Sequence, residues 1–193
     1  MSSITTTGAR TLGDVIPGGL VRSIALVVGG TLFVAFATLV AIPLPFTPVP
    51  LTLQTFAVLL VGSALGSTRG LISVALYALV GIAGVPWFSQ HHSGFAFPSF
   101  GYIVGFVAAA WLVGFLAERG GDRHVVKMIG LMVLGNLVIY AFGIAGLMLT
   151  TGMPLPTAIN KGLFPFLLGD ALKIALAACL VPGTWKLVSR HDG

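Results

Sequence analysis

The sequence predicts an all-α integral membrane protein, a bundle of six transmembrane helices with both termini in the cytoplasm. Three observations carry that reading. Of 193 residues, 56% are hydrophobic and only 8% charged, whereas a soluble domain is about 25% charged. The hydrophobic residues fall into six long runs. The basic residues fall almost entirely on alternate links between those runs. Ten basic and five acidic side chains cannot clothe a soluble surface. Soluble and disordered classes are thereby excluded. So is a nucleic-acid partner, because the +5 net charge is scattered at the ends of apolar runs instead of gathered in one patch.

A crossing helix needs about 20 mostly apolar residues. The runs are Leu20–Ile42, Leu51–Gly66, Gly70–Gly84, Pro98–Ala117, Val125–Thr150 and Gly162–Val181. Arg10 and Arg22 flank the first. Arg69 separates the second and third, Arg119, Arg123 and Lys127 surround the link between the fourth and fifth, and Lys186 and Arg190 follow the sixth. With six crossings these eight lie on one side, and the other side has only Lys161. Cytoplasmic links carry the excess of Lys and Arg, so that side is the cytoplasm. Ala35-Phe36-Ala37 weakly resembles a leader cleavage site, but the apolar run continues past it to Ile42, so a retained span is expected. The chain reads as one membrane domain, 1–193: a cytoplasmic segment 1–19, the bundle 20–187 and a cytoplasmic tail 188–193.

The expected external links are the elaborate ones. Pro43-Leu44-Pro45-Phe46-Thr47-Pro48-Val49-Pro50 has four prolines in eight residues, which enforces a stiff, extended path. The 84–97 link carries Trp87, Phe88, Gln90, His91, His92, Phe95 and Phe97 but no Lys, Arg, Asp or Glu. The cytoplasmic links are short and charged. The asymmetry points to a pocket that opens outward beneath loop lids.

Asp170 is the one acidic residue inside a run, and Lys173 follows three residues later on the same helix face. Counting from the start of the sixth run, Asp170 lies roughly 10–12 Å and Lys173 roughly 15 Å below the external end. Ionisable groups at such depth cost about 2.5–3.5 kcal/mol or more and mark substrate or ion sites. The bland alternative is a self-neutralising intrahelical ion pair. Gln54 and Tyr102 sit at a similar depth. Asn136, Tyr77 and Tyr140 lie deeper, and an interhelical hydrogen bond is the simpler explanation for each. His91-His92 lacks further ligands, so no metal site and no cofactor is expected. Cys179, the one cysteine, excludes an intrachain disulfide and reads as a packed small hydrophobe. No GxxxxGK[ST], GxSxG or HExxH motif occurs, so the chain is neither an ATPase nor a recognisable hydrolase.

Three segments together resemble the biotin-specific S components (BioY family) of energy-coupling factor transporters. Ile42–Thr55 is similar to that family's first-loop signature. Gly84-Val85-Pro86-Trp87-Phe88 with Pro98-Ser99-Phe100-Gly101-Tyr102-Ile103-Val104-Gly105-Phe106 resembles G-x-P-V-F … P-T-G-G-Y-x-x-G-F. Pro165-Phe166-Leu167-Leu168-Gly169-Asp170-Ala171-Leu172-Lys173 resembles P-F-x-x-G-D-x-x-K. Ser99-Phe100 stands in place of Thr-Gly, and Trp87 in place of Val. The likeness covers about 22–187. It implies a six-helix S component in the prokaryotic plasma membrane that binds biotin from outside. Its partners would be a transmembrane T component and two cytoplasmic ABC-type ATPases. Asp170, Lys173, Gln54, Tyr102, Ser99, Trp87 and Asn136 are the expected substrate-binding residues. The family's small-x-x-x-small stripe falls on Ala25 and Gly29, the expected partner interface. The competing reading is a self-sufficient proton-coupled carrier of a small vitamin-like molecule, with Asp170 and Lys173 as the proton relay.

Overall fold

The computed structural model describes residues 11–190. Arg10 and Asp192, with the outer parts of the expected N-terminal segment and tail, lie outside the described residues. Among the described residues the regular structure is helical apart from one short strand pair. The helices are α1 (Leu20–Ala37), α2 (Gln54–Ile82), α3 (Phe100–Ala117), α4 (Val125–Thr151), α5 (Leu155–Gly162) and α6 (Leu167–Arg190). Among the described residues, five helical segments are long and apolar enough to cross a membrane, the last running through α5 and α6.

α2 is not one rod. Gly66 has φ 86° and ψ 179°, a conformation that only glycine adopts without strain. Residues at nearly equal distances on either side of it meet. A methyl on Gly70 would sit 3.0 Å from the Gly62 Cα, and Gln54 Nε2 lies 2.7 Å from the Tyr77 hydroxyl. In a straight helix, 23 residues span about 35 Å. The arms 54–65 and 67–82 therefore fold back on each other at Gly66. Small residues permit this approach. A side chain on Gly62 would collide with the Ala110 carbonyl of α3. Gly101 and Gly146 likewise bring α3 and α4 into backbone contact.

The proline-rich segment is bracketed by β1 (Ala41–Ile42) and β2 (Leu51–Thr52), paired antiparallel with Ala41 opposite Thr52 and Ile42 opposite Leu51. The first helix therefore ends at Ala37, five residues short of the expected Ile42, because Ala41 and Ile42 leave it to pair with the segment before α2. The sixth also differs. Pro165 lies in a 3-10 turn, Phe164–Phe166, where its missing N–H and fixed φ are tolerated. α6 starts only at Leu167 and continues to Arg190, past the expected Val181. Asp170 is therefore in the first turn of α6 rather than two turns down a rod that starts at Gly162. Its cover comes from the chain before α6. The Thr47 hydroxyl donates to the Lys161 carbonyl at 2.7 Å, and the Tyr102 hydroxyl to the Gly162 carbonyl at 2.7 Å. These bonds fasten the end of α5 over the bundle.

Candidate substrate-binding site

A partly open cavity lies at the bundle end where α2 and α3 begin. Val49, Pro50, Leu51 and Thr52 form one wall. Gln54 and Thr55 enter from the first turn of α2. Ser89, Phe97, Ser99, Tyr102, Ile103 and Phe106 come from the 84–97 link and the start of α3. Tyr140, Phe166, Asp170 and Lys173 complete it. The lining is mostly apolar and aromatic, with a few polar groups that converge.

Four of those polar side chains, Thr55, Tyr140, Asp170 and Lys173, form one network. Lys173 Nζ donates to Asp170 Oδ1 at 3.0 Å and to Thr55 Oγ1 at 2.8 Å. The Thr55 hydroxyl in turn reaches Asp170 Oδ1 at 3.4 Å. The Tyr140 hydroxyl donates to Asp170 Oδ2. The two charged side chains are only 5% (Asp170) and 13% (Lys173) exposed. Burying an ion pair is tolerable only where further hydrogen bonds satisfy it, and Thr55 and Tyr140 supply them. The ammonium has three N–H groups and two are engaged. One donor therefore remains for a guest, in a pocket that is neutral overall.

Of the seven expected substrate residues, Asp170, Lys173, Gln54, Tyr102 and Ser99 line the cavity, and Trp87 and Asn136 do not. Trp87 lies behind it, stacked on Tyr77 with ring centroids 5.3 Å apart and donating through Nε1 to the Tyr77 carbonyl at 3.0 Å. Asn136 donates back along α4 to the Met132 carbonyl at 3.0 Å, the local bond that a polar side chain in a helix readily makes. The expected interface residues Ala25 and Gly29 are exposed on α1, and a Cβ on Gly29 would have nothing within 4 Å. Sequence reasoning missed Thr55 and Tyr140 as members of the charged network. The hydroxyl of Thr55 stood next to Gln54 in the sequence, and that proximity was the one available signal.

At the opposite end most polar groups bind one another, although Arg69 Nη1 and Asp122 Oδ1 are buried without a hydrogen-bond partner among the described residues. Thr11 and Asp14 form a reciprocal capping pair, Thr11 Oγ1 donating to Asp14 Oδ2 at 3.0 Å, and Asp14 is salt-bridged to Arg69. Burial pushes the Asp14 carboxyl up, but Arg69 and Thr11 outweigh it and hold it below its ordinary 3.8. Asp122, in the link between α3 and α4, is fully buried and accepts from Trp185 Nε1 at 2.7 Å. Its burial dominates, and its carboxyl titrates above the ordinary 3.8 despite Trp185 and Arg123. Among the described residues no cluster of three or more His, Cys, Asp or Glu could hold a metal ion.

Fold and site together define a class: a membrane-embedded helical protein that encloses a small, largely apolar pocket with one buried ion pair at one end. The BioY family model matches residues 5–190, and the chain belongs to the BioY family. It is 35% identical to the biotin transporter BioY of Rhizobium etli, over 77% of this chain and 84% of that protein. It is also 35% identical to the biotin transporter BioY of Thermotoga maritima, over 76% and 86%. A solved S-component for biotin from an ECF-type ABC transporter superposes with a TM-score of 0.77 at 26% identity, covering 86% of this chain and 92% of that one.

Proposed function

We propose that this chain is the substrate-capture (S) subunit of an ATP-driven importer of the energy-coupling factor type and that its cargo is biotin. Family membership and the relatives named biotin transporters support the cargo. The single observation that carries the site is the buried Asp170–Lys173 pair, held by Thr55 and Tyr140 with one ammonium N–H unspent, in an aromatic-walled cavity. Biotin fits that chemistry. Its ureido ring has two N–H donors and one carbonyl acceptor, its thiophane ring is apolar, and its tail ends in a carboxylate. Asp170, Lys173, Gln54, Tyr102 and Ser99 contact the guest, with the aromatic rings packing its apolar parts.

Counting the two arms of α2 separately gives six crossings, an even number that puts both termini on one side of the membrane. The excess of Lys and Arg then assigns the cavity end to the outside of the plasma membrane. The chain has no phosphate-binding loop, so ATP must be hydrolysed by separate subunits. The partners are a T component, docked on the Ala25 and Gly29 face of α1, and two cytoplasmic ATPases.

Titration calorimetry on the detergent-solubilised chain, without ATP or partners, tests the cargo. Saturable one-to-one binding of biotin is expected. Heat with another vitamin and none with biotin would overturn the assignment.

A further inference from the structure

Tyr77 is fully buried in the second arm of α2 and does not line the cavity. Its hydroxyl lies 2.7 Å from Gln54 Nε2, and Gln54 does line the cavity. Which end of the Gln54 amide meets Tyr77 decides what Gln54 offers a guest, and the surrounding hydrogen bonds decide that orientation.

Two other oxygens approach the Tyr77 hydroxyl. The Trp87 carbonyl, at 3.5 Å, can only accept. The Thr38 hydroxyl, at 3.4 Å, already turns its own proton toward the Val34 carbonyl at 3.3 Å. The single Tyr77 proton is directed at the Trp87 carbonyl, which can only accept. The Tyr77 oxygen is then left to accept, so Gln54 must present its NH₂ group there. The amide oxygen Oε1 is the other prong of the same planar fork. It receives no hydrogen bond from the protein among the described residues. An acceptor is thereby left to the cavity. Tyr77 itself cannot turn away. Trp87 stacks on its ring and donates to its carbonyl, and Phe88 packs edge-on at 5.3 Å.

The geometry points to Tyr77, pinned by Trp87, as a positioning residue that fixes Gln54 Oε1 as the cavity's acceptor for a ligand N–H. This rests on the cargo assigned above, because in biotin the N–H groups belong to the ureido ring alone. Selectivity for an unsubstituted cyclic urea is thus set by a tyrosine and a tryptophan that never touch it. Trp87, expected from the sequence at the substrate, acts through two other residues.

The experiment measures binding of biotin and of an analogue methylated on both ureido nitrogens. Tyr77→Phe keeps the aromatic stack and removes the acceptor. It should weaken biotin binding about tenfold, the scale of one buried hydrogen bond. Methylation should cost the unsubstituted chain about tenfold or more and Tyr77→Phe about twofold or less. Gln54→Met should weaken biotin binding similarly, and adding Tyr77→Phe to it should cost nothing further. Trp87→Phe, which loses only the indole N–H, should shrink the methylation penalty partway and serves if Tyr77→Phe does not fold. An unchanged methylation penalty in both variants, or losses from Tyr77 and Gln54 that multiply, would overturn the positioning role. No binding of biotin by the unsubstituted chain would overturn the cargo and this role together.

Discussion

The two ends of the bundle use similar side chains to opposite effect. At the cavity end, Asp170, Lys173, Thr55 and Tyr140 bind one another yet leave an ammonium N–H unspent, and Gln54 keeps an oxygen unspent. At the other end, Arg69 locks onto Asp14, and Glu118 Oε1 accepts from the Ser67 N–H at 2.7 Å and its hydroxyl at 2.8 Å. Asp122 takes the Trp185 indole N–H, and the Arg123 guanidinium lies 4.5 Å from the centre of that indole ring. Those bonds tie the 3-10 turn Leu12–Val15, the turn at Gly66, the α3–α4 link and the end of α6 together. A helical membrane protein gains little from hydrophobic contact between its helices, because lipid is equally apolar. Its polar groups therefore matter more: at the closed end they mainly tie chain segments together, although Arg69 Nη1 and Asp122 Oδ1 stay without a partner among the described residues, and at the cavity end they gather around one pocket.

The largest effects should come from spending the site's capacity wrongly. Asp170→Asn and Lys173→Met each leave one buried charge unpaired, which costs about 3–5 kcal/mol where the pair is well buried. Each should weaken biotin binding by well over tenfold in calorimetry and lower the melting temperature in detergent. The double variant removes both charges. It should recover melting temperature without recovering binding. If the double variant binds biotin normally, the pair belongs with the opposite end, as a structural closure.

The same contrast explains what could be read from the sequence. Asp170 and Lys173 were legible because an ionisable residue in an apolar run is costly and demands a reason. Thr55 and Tyr140 were not, since a hydroxyl inside a span is cheap to satisfy locally. Only the contacts between residues 115 and 30 positions apart reveal their partner. The reversal at Gly66 was legible in the gap between two apolar runs around Arg69. The displaced start of α6 was not, because Leu163, Phe164 and Phe166 are as apolar as any helix and only Pro165 breaks the pattern. Trp87 and Asn136 show the limit from the other side. Their types suit a ligand, but the Trp87 indole N–H and the Asn136 amide N–H donate to the Tyr77 and Met132 carbonyls, while the Asn136 Oδ1 is buried without a partner among the described residues.

The next effect concerns the exposed face of α1 on the closed half. Ala25 and Gly29 are exposed, and nothing lies within 4 Å of a Cβ on Gly29. Ala25→Trp or Gly29→Trp should thus leave the melting temperature nearly unchanged, as surface substitutions usually do. Close helix approach by a partner needs small residues there. Co-purification with the T component and uptake by the assembled transporter should fall at least tenfold, while biotin binding by the isolated chain stays within twofold. Loss of binding as well would mean that the two ends are not separable.

The smallest effect tests the closed end itself, where two carboxylates should respond to pH with opposite signs. The Asp14 carboxyl is held below its ordinary 3.8 in the folded chain, since Arg69 and Thr11 outweigh its burial. Its contribution to stability is therefore complete above pH 3.8 and is lost as the pH falls below that value. Asp122 titrates above 3.8 because burial penalises its charge more than Trp185 and Arg123 reward it. The folded chain holds that proton more tightly than the unfolded one, so stability falls as the pH rises from 3.8 through the folded value. Melting temperatures in detergent between about pH 3 and pH 7 separate the two. Asp14→Asn should lower the melting temperature at pH 7 and flatten the loss at the acid end, by at most about 1 kcal/mol since Asp14 is partly screened by solvent. Asp122→Asn keeps an oxygen for Trp185 and removes the charge that burial penalises. It should raise the melting temperature at pH 7 and bring no benefit at pH 3. A shift of the same sign in both variants would mean that the buried carboxylate is paid for by its neighbours after all, and that the closed end is held by charge throughout.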